Sequence, residues 1–160
     1  MVTRILVLLV TAATMVLVGA RPVAAQEIVH FTAPSKNIDC MIYTFDSSTS
    51  VGCLVESASW KKRPARPSDC ELDWSPTEIS LSSETTGSKR VNSVSLGSCR
   101  GDIGPLCASG NDGCTTLGYG KTATLGPITC TSKTSGIMCV TNAGPKRGFT
   151  VNRAGYTLLR

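Results

Sequence analysis

The sequence predicts an all-β fold, a small antiparallel sheet or barrel-like domain of disulfide-stapled hairpins with at most one short helical turn. Apolar residues alternate with other residues in short runs, as at 38–42 and 51–55, which is the period of a half-buried strand. No long run has the period of a helix. The chain has only two Trp, three Tyr and three Phe. Its Ser- and Thr-rich composition favours strands and turns.

Residues 1–25 have the pattern of a cleaved signal peptide. Arg4 supplies the positive charge, residues 5–18 are apolar, and small residues at 23–25 precede Gln26. The apolar run is shorter than the ~20 residues that a membrane-spanning helix needs. We therefore expect no membrane span after cleavage, and a single disulfide-rich β domain over residues 26–160. We expect that domain to be secreted, periplasmic or in the cell envelope.

Eight cysteines follow this leader, and an even number in an exported chain predicts four disulfides. The alternative is a metal site. However, no two cysteines have the spacing of a zinc knuckle, and the single histidine, His30, is ten residues from the nearest cysteine. We expect no metal and no cofactor.

The segment 128–141 predicts a β-hairpin that is closed by a disulfide. With Thr134 and Ser135 as the turn, Cys130 faces Cys139. Directly opposed residues of a non-hydrogen-bonded pair have Cα atoms about 4.5 Å apart, within the range of about 4.4–6.8 Å that a disulfide tolerates. The same register places Ser132 opposite Ile137 and Ile128 opposite Thr141.

A second hairpin follows the same logic. With Asp46 and Ser47 as the turn, Cys40 faces Cys53, and apolar pairs 38/55 and 42/51 flank the bridge. The similarity of the two hairpins indicates either a weak internal repeat or coincidence, and both interpretations stay open. Cys107 and Cys114 enclose what looks like an inserted loop within 104–116, which leaves Cys70 for Cys99.

Three further segments complete the predicted secondary structure. Ser75-Pro76-Thr77-Glu78 has the form of a helix capping box with proline at the first helical position, which predicts one helical turn. Residues 91–96 alternate as a strand. Residues 144–160 are predicted to form a strand, a turn and a closing strand.

The segment 60–67 contains Trp60, four cations and two prolines. Proline forbids helix and favours an extended course, so a surface crossover is expected here. The alternative is that the cations and the tryptophan bind an anionic polymer.

Candidate catalytic and metal-binding groups are few. Hydrolytic chemistry at serine or cysteine needs a base, and His30 lies near the mature N-terminus in a predicted edge strand. Asp69, Glu71 and Asp73 can share a strand face as paired carboxylates, although a solvated face explains them better. Asp102, Asn111 and Asp112 fit no EF-hand loop. The sequence therefore predicts no catalytic residues and a protein that is not an enzyme.

Charge is distributed unevenly along the chain. Residues 26–160 carry 14 cations and 11 acids, yet no acid lies beyond Gly113. The cations of this last stretch are Lys121, Lys133, Lys146, Arg147, Arg153 and Arg160. This basic region predicts a non-catalytic binding module that contacts an anionic envelope polymer or an acidic protein partner. The predicted ligand-binding residues are Lys133, Lys146, Arg147 and Arg153.

Two other functions fit the sequence less well. Nucleic acid is disfavoured as a partner because the chain is exported and few aromatic residues alternate with its cations. The alternative function is a secreted inhibitor that presents the tied loop 110–113 to a hydrolase, since a rigid loop loses little ordering entropy on binding.

Several motifs occur together in a specific order. They are Phe31-x-x-Pro34-Ser35-x-Asn37-Ile38-x-Cys40, Val51-Gly52-Cys53, Trp60 with Pro64-Ala65-Arg66-Pro67, Asp69-Cys70-Glu71-Leu72-Asp73-Trp74, Cys99-Arg100-Gly101-Asp102, Leu117-Gly118-Tyr119-Gly120, and Cys130 through Gly148-Phe149 to Tyr156. The chain thereby resembles a family of small secreted bacterial disulfide-rich domains of unknown function. The resemblance implies an exported six-cysteine core and no activity.

This chain departs from the family pattern at two places. It inserts the Cys107–Cys114 loop, and it has Pro145-Lys146-Arg147 before Gly148-Phe149, where the resemblance leads us to expect a glycine–histidine pair.

Overall fold

The computed structural model describes residues 26–101, 106–107 and 113–160. No helix occurs in these ranges. They contain eleven strands: β1 (Ile28–Thr32), β2 (Ile38–Phe45), β3 (Ser48–Val55), β4 (Asp73–Thr86), β5 (Lys89–Arg100), β6 (Cys114–Thr116), β7 (Thr122–Leu125), β8 (Ile128–Lys133), β9 (Gly136–Thr141), β10 (Gly148–Val151) and β11 (Tyr156–Leu159). The predicted all-β class is confirmed.

The strands form two sheets that share one core. One sheet has six strands in the order β5-β4-β3-β2-β1-β6, and the other has five in the order β11-β10-β9-β8-β7. Fully buried side chains of both sheets belong to a single apolar cluster, among them Phe31 and Ile42 of the first and Ile137 and Phe149 of the second. The fold is therefore two sheets packed face to face, with alternate residues of each strand pointing inward.

Both predicted hairpin registers are confirmed. Cys40 pairs with Cys53 in β2–β3, and Cys130 pairs with Cys139 in β8–β9. Their Cα atoms lie 4.1 Å and 4.0 Å apart, and the four cysteines are fully buried. Each bridge thus lies on the inner face of its own sheet, within the shared core.

The two other predicted bridges are also present. Cys70 and Cys99 join the segment before β4 to the end of β5, and Cys107 joins Cys114 at the start of β6. None of the cysteines in the described part of the chain is free. Four disulfides in one small domain are typical of proteins outside the cytoplasm.

The helical turn expected at residues 75–78 does not form, so that prediction is wrong. The segment belongs to β4, where Glu78 pairs with Leu54 of β3, and the β4–β5 register shifts between Ser75 and Ile79. Pro76 lies within this shift and has no N–H to donate, which a bulge tolerates better than a regular ladder. Pairing with two neighbouring strands outweighs the local capping pattern.

The predicted loop insertion ends in a strand. β6 pairs in parallel with β1 at the edge of the six-stranded sheet, with His30 opposite Cys114. The predicted strand at 91–96 is part of the longer β5, and β10 and β11 are the expected C-terminal strands.

The expected signal peptide at 1–25 lies outside the described residues, as do the calcium candidates Asp102, Asn111 and Asp112.

Trp60 fixes the course of the basic segment. Its side chain is buried, its ring lies 5.0 Å from that of Tyr156, and its Nε1–H donates a hydrogen bond of 2.9 Å to the carbonyl of Asn152. The tryptophan is thus part of the core and offers no exposed surface for a polymer, which favours the crossover interpretation.

Within the described residues, no helix is long and apolar enough to span a membrane.

Candidate functional site

A cleft of about 580 Å³ opens at one end of the two sheets. We call it the loop-end cleft. Its walls come from the β1–β2 and β3–β4 connections, from Tyr119 between β6 and β7, and from the turns β8–β9 and β10–β11. Its charged lining residues are Lys133 and Arg153. Loops of both sheets therefore converge on one concave surface, which is the usual setting for a ligand site.

Lys133 reaches the cleft because it is the last residue of β8. The backbone of β8 is held on both sides, by β9 and by the segment 118–121, whose Gly120 N–H donates to the Ser132 carbonyl at 2.8 Å. The following turn packs closely on β10. Gly136 has φ +128°, and a Cβ there would lie 2.1 Å from the Val151 carbonyl oxygen, so this position requires glycine.

Arg153 is positioned by Asn152. The Asn152 Oδ1 accepts hydrogen bonds from the N–H groups of Ala154 and Gly155, at 2.8 Å and 3.0 Å, and its Nδ2 donates to the Ser135 carbonyl at 3.1 Å. One side chain therefore shapes the β10–β11 turn and ties it to the β8–β9 turn. The Arg153 carbonyl accepts a further hydrogen bond from the Ser59 N–H at 2.8 Å.

The opposite wall is polar and neutral. The Asn37 Oδ1 accepts a hydrogen bond of 2.9 Å from the Ser57 N–H, which joins the β1–β2 and β3–β4 connections. Tyr119 has 52% of its surface exposed. An exposed phenol beside two cations offers an apolar ring face, a hydroxyl and positive charge in one place.

The electrostatics of the cleft favour an anion. None of the described residues that line it carries a carboxylate, whereas Lys133 and Arg153 are both exposed at its mouth. The cleft therefore combines two positive side chains with hydroxyl and amide groups that accept or donate hydrogen bonds.

Comparison with protein families identifies the chain. A family model matches residues 10–159, nearly the whole sequence. The chain belongs to the DUF6636 family, a family of unknown function. The predicted resemblance to an uncharacterised disulfide-rich family is thereby confirmed. Searches of curated proteins and of solved structures found no significant match to this DUF6636 chain.

The four predicted ligand-binding cations of this DUF6636 domain do not form one cluster. Lys133 and Arg153 line the loop-end cleft, whereas Lys146 and Arg147 lie in the β9–β10 connection at the other end of the sheet. There the Arg147 N–H donates to Thr141 Oγ1 at 3.0 Å. The length of β9 separates the two pairs by about 17 Å.

The other candidate groups lie outside the cleft. Asp69, Glu71 and Asp73 are all exposed, and only Asp73 belongs to a strand. His30 lies on β1, where its Nε2 is buried and has no hydrogen-bond partner among the described residues. Within the described ranges, no group of three or more His, Cys, Asp or Glu side chains is placed to hold a metal ion. Of the loop proposed for inhibition, only Gly113 lies in the described part.

Sequence reasoning missed the residues that shape the cleft, namely Asn37, Tyr119, Gly136 and Asn152. Two signals were available for them. Tyr119 lies between two glycines, a composition typical of an exposed turn, and Asn152 precedes a short segment that ends in glycine before the last strand. Their convergence depends on strand order, which no local pattern contains.

Proposed function

We propose that this DUF6636 domain is a non-catalytic binding module that holds an anionic ligand in the loop-end cleft. The single observation that carries the proposal is that Lys133 and Arg153 line one cleft without a carboxylate among its described lining residues. The ligand class is an anionic polymer of the cell envelope or an acidic protein segment.

Arrangement of the cleft supports binding in preference to catalysis. The polar groups of its described lining residues are amides, hydroxyls and two cations, and none of these residues carries a carboxylate or an imidazole, the usual general bases. His30 is not among its lining residues. The Cys130–Cys139 disulfide and the Asn152 hydrogen bonds hold the backbone of the two cationic residues in place before a ligand arrives, so little backbone entropy is lost on binding.

Salt dependence tests the proposal. Retention of the domain on an acidic polysaccharide and on purified envelope material is measured between low and physiological salt. Exposed charges are screened beyond about 8 Å at 0.15 M salt, so retention by the cleft should weaken as salt rises. Lys133→Gln with Arg153→Gln should remove most of the retention.

The matched control is Lys146→Gln with Arg147→Gln, which removes the same charge at the far end of the same sheet. This control should keep most of the retention. Equal loss in both double variants would show that net charge, not the cleft, binds the polymer. Retention unchanged in both would show that these cations only solubilise the domain.

A further inference from the structure

A second cavity, of about 380 Å³, lies on the outer face of the six-stranded sheet. Alternate residues of a strand point to opposite faces, so the residues between the core positions of β3 and β4 form its floor. Ser50, Ser80 and Ser82 contribute three hydroxyls there, and the Ser50 and Ser82 hydroxyls share a hydrogen bond of 2.9 Å. This sheet-face pocket is separate from the loop-end cleft, because the two share none of their described lining residues.

A partly buried ion pair lies at one side of the floor. Arg100 Nε donates to Glu78 Oε2 at 2.9 Å, and the Glu78 side chain has only 9% of its surface exposed. Burial raises the pKa of Glu78, although Arg100 and Ser98 oppose this shift. Removing two charges from water is costly, and apolar residues of similar volume often stabilise a protein as well or better. Stability alone is therefore a weak explanation for this pair.

Gly52 keeps the floor open. It lies in β3, between two strands, where a glycine weakens the sheet and commonly marks a close approach to the backbone. A Cβ at this position would lie 3.3 Å from Glu78 Oε1. The missing side chain therefore gives the carboxylate its place over the strand.

The pocket has a polar side and an apolar side. Opposite the serines lie Ile28, Met41 and Leu106, together with the ring of Tyr43. Ile28 has 48% of its surface exposed, a large fraction for an isoleucine in a strand. A ligand that fits both sides carries hydroxyl groups on one face and C–H groups on the other.

The charge of the pocket argues for a neutral ligand. Glu78 and Arg100 neutralise each other, and the other described lining residues are uncharged. A charged ligand would lose its hydration there without gaining a counter-charge. This distinguishes the pocket from the loop-end cleft, whose lining carries two positive charges.

We propose that the sheet-face pocket binds a neutral sugar ring, with Glu78, Ser80 and Ser82 meeting its hydroxyls and Tyr43 and Met41 packing against its C–H face. The volume of the pocket lies in the usual range for small-molecule sites and accommodates one ring. This inference does not depend on anion binding in the loop-end cleft.

The test is an NMR titration of the ¹⁵N-labelled oxidised domain with glucose, galactose, mannose and N-acetylglucosamine. Each sugar is added up to roughly 50 mM, because a single ring has a Kd of about 1 mM or weaker. Saturable shifts are expected at the amides of Gly52, Ser80 and Ser82 for at least one sugar. Saturation by none of the four would overturn the proposal.

Variants locate the site. Ser80→Leu fills the floor of the pocket and should abolish the sugar-induced chemical shift changes. The control is Thr131→Leu, which replaces a half-buried strand hydroxyl of the other sheet and should leave the Kd for the sugar unchanged. Glu78→Gln should weaken binding about tenfold, the loss expected for a hydrogen bond to a charged group. If Glu78→Gln does not fold, Gly52→Ala replaces it, because its Cβ would lie 3.3 Å from Glu78 Oε1 and would shift the carboxylate slightly, which should also weaken binding.

Binding that survives Ser80→Leu at full strength would overturn the assignment. The Lys133→Gln, Arg153→Gln double variant should bind the sugar as well as wild type. A loss in that variant would place the sugar in the loop-end cleft and would also overturn the assignment. Failure of anion retention with intact sugar binding would overturn only the proposed function.

Discussion

The indole Nε1–H of Trp60 donates a hydrogen bond to the backbone carbonyl of Asn152 at 2.9 Å. Trp60 begins the basic crossover, and Asn152 begins the turn that carries Arg153 into the loop-end cleft. This bond, together with the hydrogen bond from the Ser59 N–H to the Arg153 carbonyl, fastens the crossover to that turn. The order of the cleft therefore depends on a segment that contributes no charge to it.

Trp60→Phe should destabilise the domain by about 1–3 kcal/mol, because the Asn152 carbonyl loses its indole donor. Trp60→Ala should cost about 3–5 kcal/mol, because it also leaves a cavity beside Tyr156. Denaturant unfolding with the disulfides intact measures both. Lys61→Ala, at an exposed neighbour, should stay within about 0.5 kcal/mol of wild type. A Phe variant as stable as wild type would show that this bond holds nothing in place.

Gly136→Ala should strain the β8–β9 turn. The residue has φ +128°, and the added Cβ would lie 2.1 Å from the Val151 carbonyl oxygen. We expect a loss of at least about 2 kcal/mol in the free energy of unfolding and weaker anion retention. Gly155→Ala is the matched control, because a Cβ there meets no atom within 4 Å. Equal stability of the two variants would contradict the close packing of this turn on β10.

Loss of the Cys70–Cys99 bridge should be more costly than loss of the Cys107–Cys114 bridge. The bridges close segments with sequence separations of 29 and 7 residues. In the chain-entropy model these closures contribute about 3.6 and about 2.4 kcal/mol. Unfolding of the two double-serine variants, compared by denaturant titration, measures the difference. A reversed order would indicate that the second bridge, which lies beside the β1–β6 pairing, supports the sheet itself.

Glu78 should give the domain a distinctive pH dependence. Its pKa is raised in the folded state by burial, so the folded protein holds this proton more tightly than the unfolded chain does. The stability that this group contributes is present below its unfolded pKa of about 4.3 and decreases as pH rises through the folded value. The unfolding free energy of wild type minus that of Glu78→Gln should therefore fall as pH increases from 4 to 7. A difference that rises or stays flat would contradict the raised pKa.

Local patterns were sufficient to predict the hairpins β2–β3 and β8–β9. A short polar turn that places one cysteine opposite another is compatible with a single strand register in each hairpin. Local patterns were insufficient at Ser75–Glu78, where the capping pattern was real but pairing with β3 and β5 is stronger. They also left open which cations meet. Lys133 and Arg153 are twenty residues apart yet share a cleft, while Lys146 lies nearer to Arg153 in sequence and at the other end of the sheet. Only strand order decides such distances.

The four bridges differ in their access to solvent. The cysteines of β2–β3 and β8–β9 are fully buried. Cys70 is also buried, but its partner Cys99 is exposed, and Cys107 and Cys114 are half-buried. Thiol–disulfide exchange requires a thiolate to reach a sulfur atom of the bridge. The two outer bridges, Cys70–Cys99 and Cys107–Cys114, should therefore be reduced first by a mild reductant. The two bridges of the hairpins β2–β3 and β8–β9 should be reduced only when the sheets separate. The domain is thus built with an outer layer of covalent links that its surroundings can exchange and an inner layer that persists as long as the molecule stays folded.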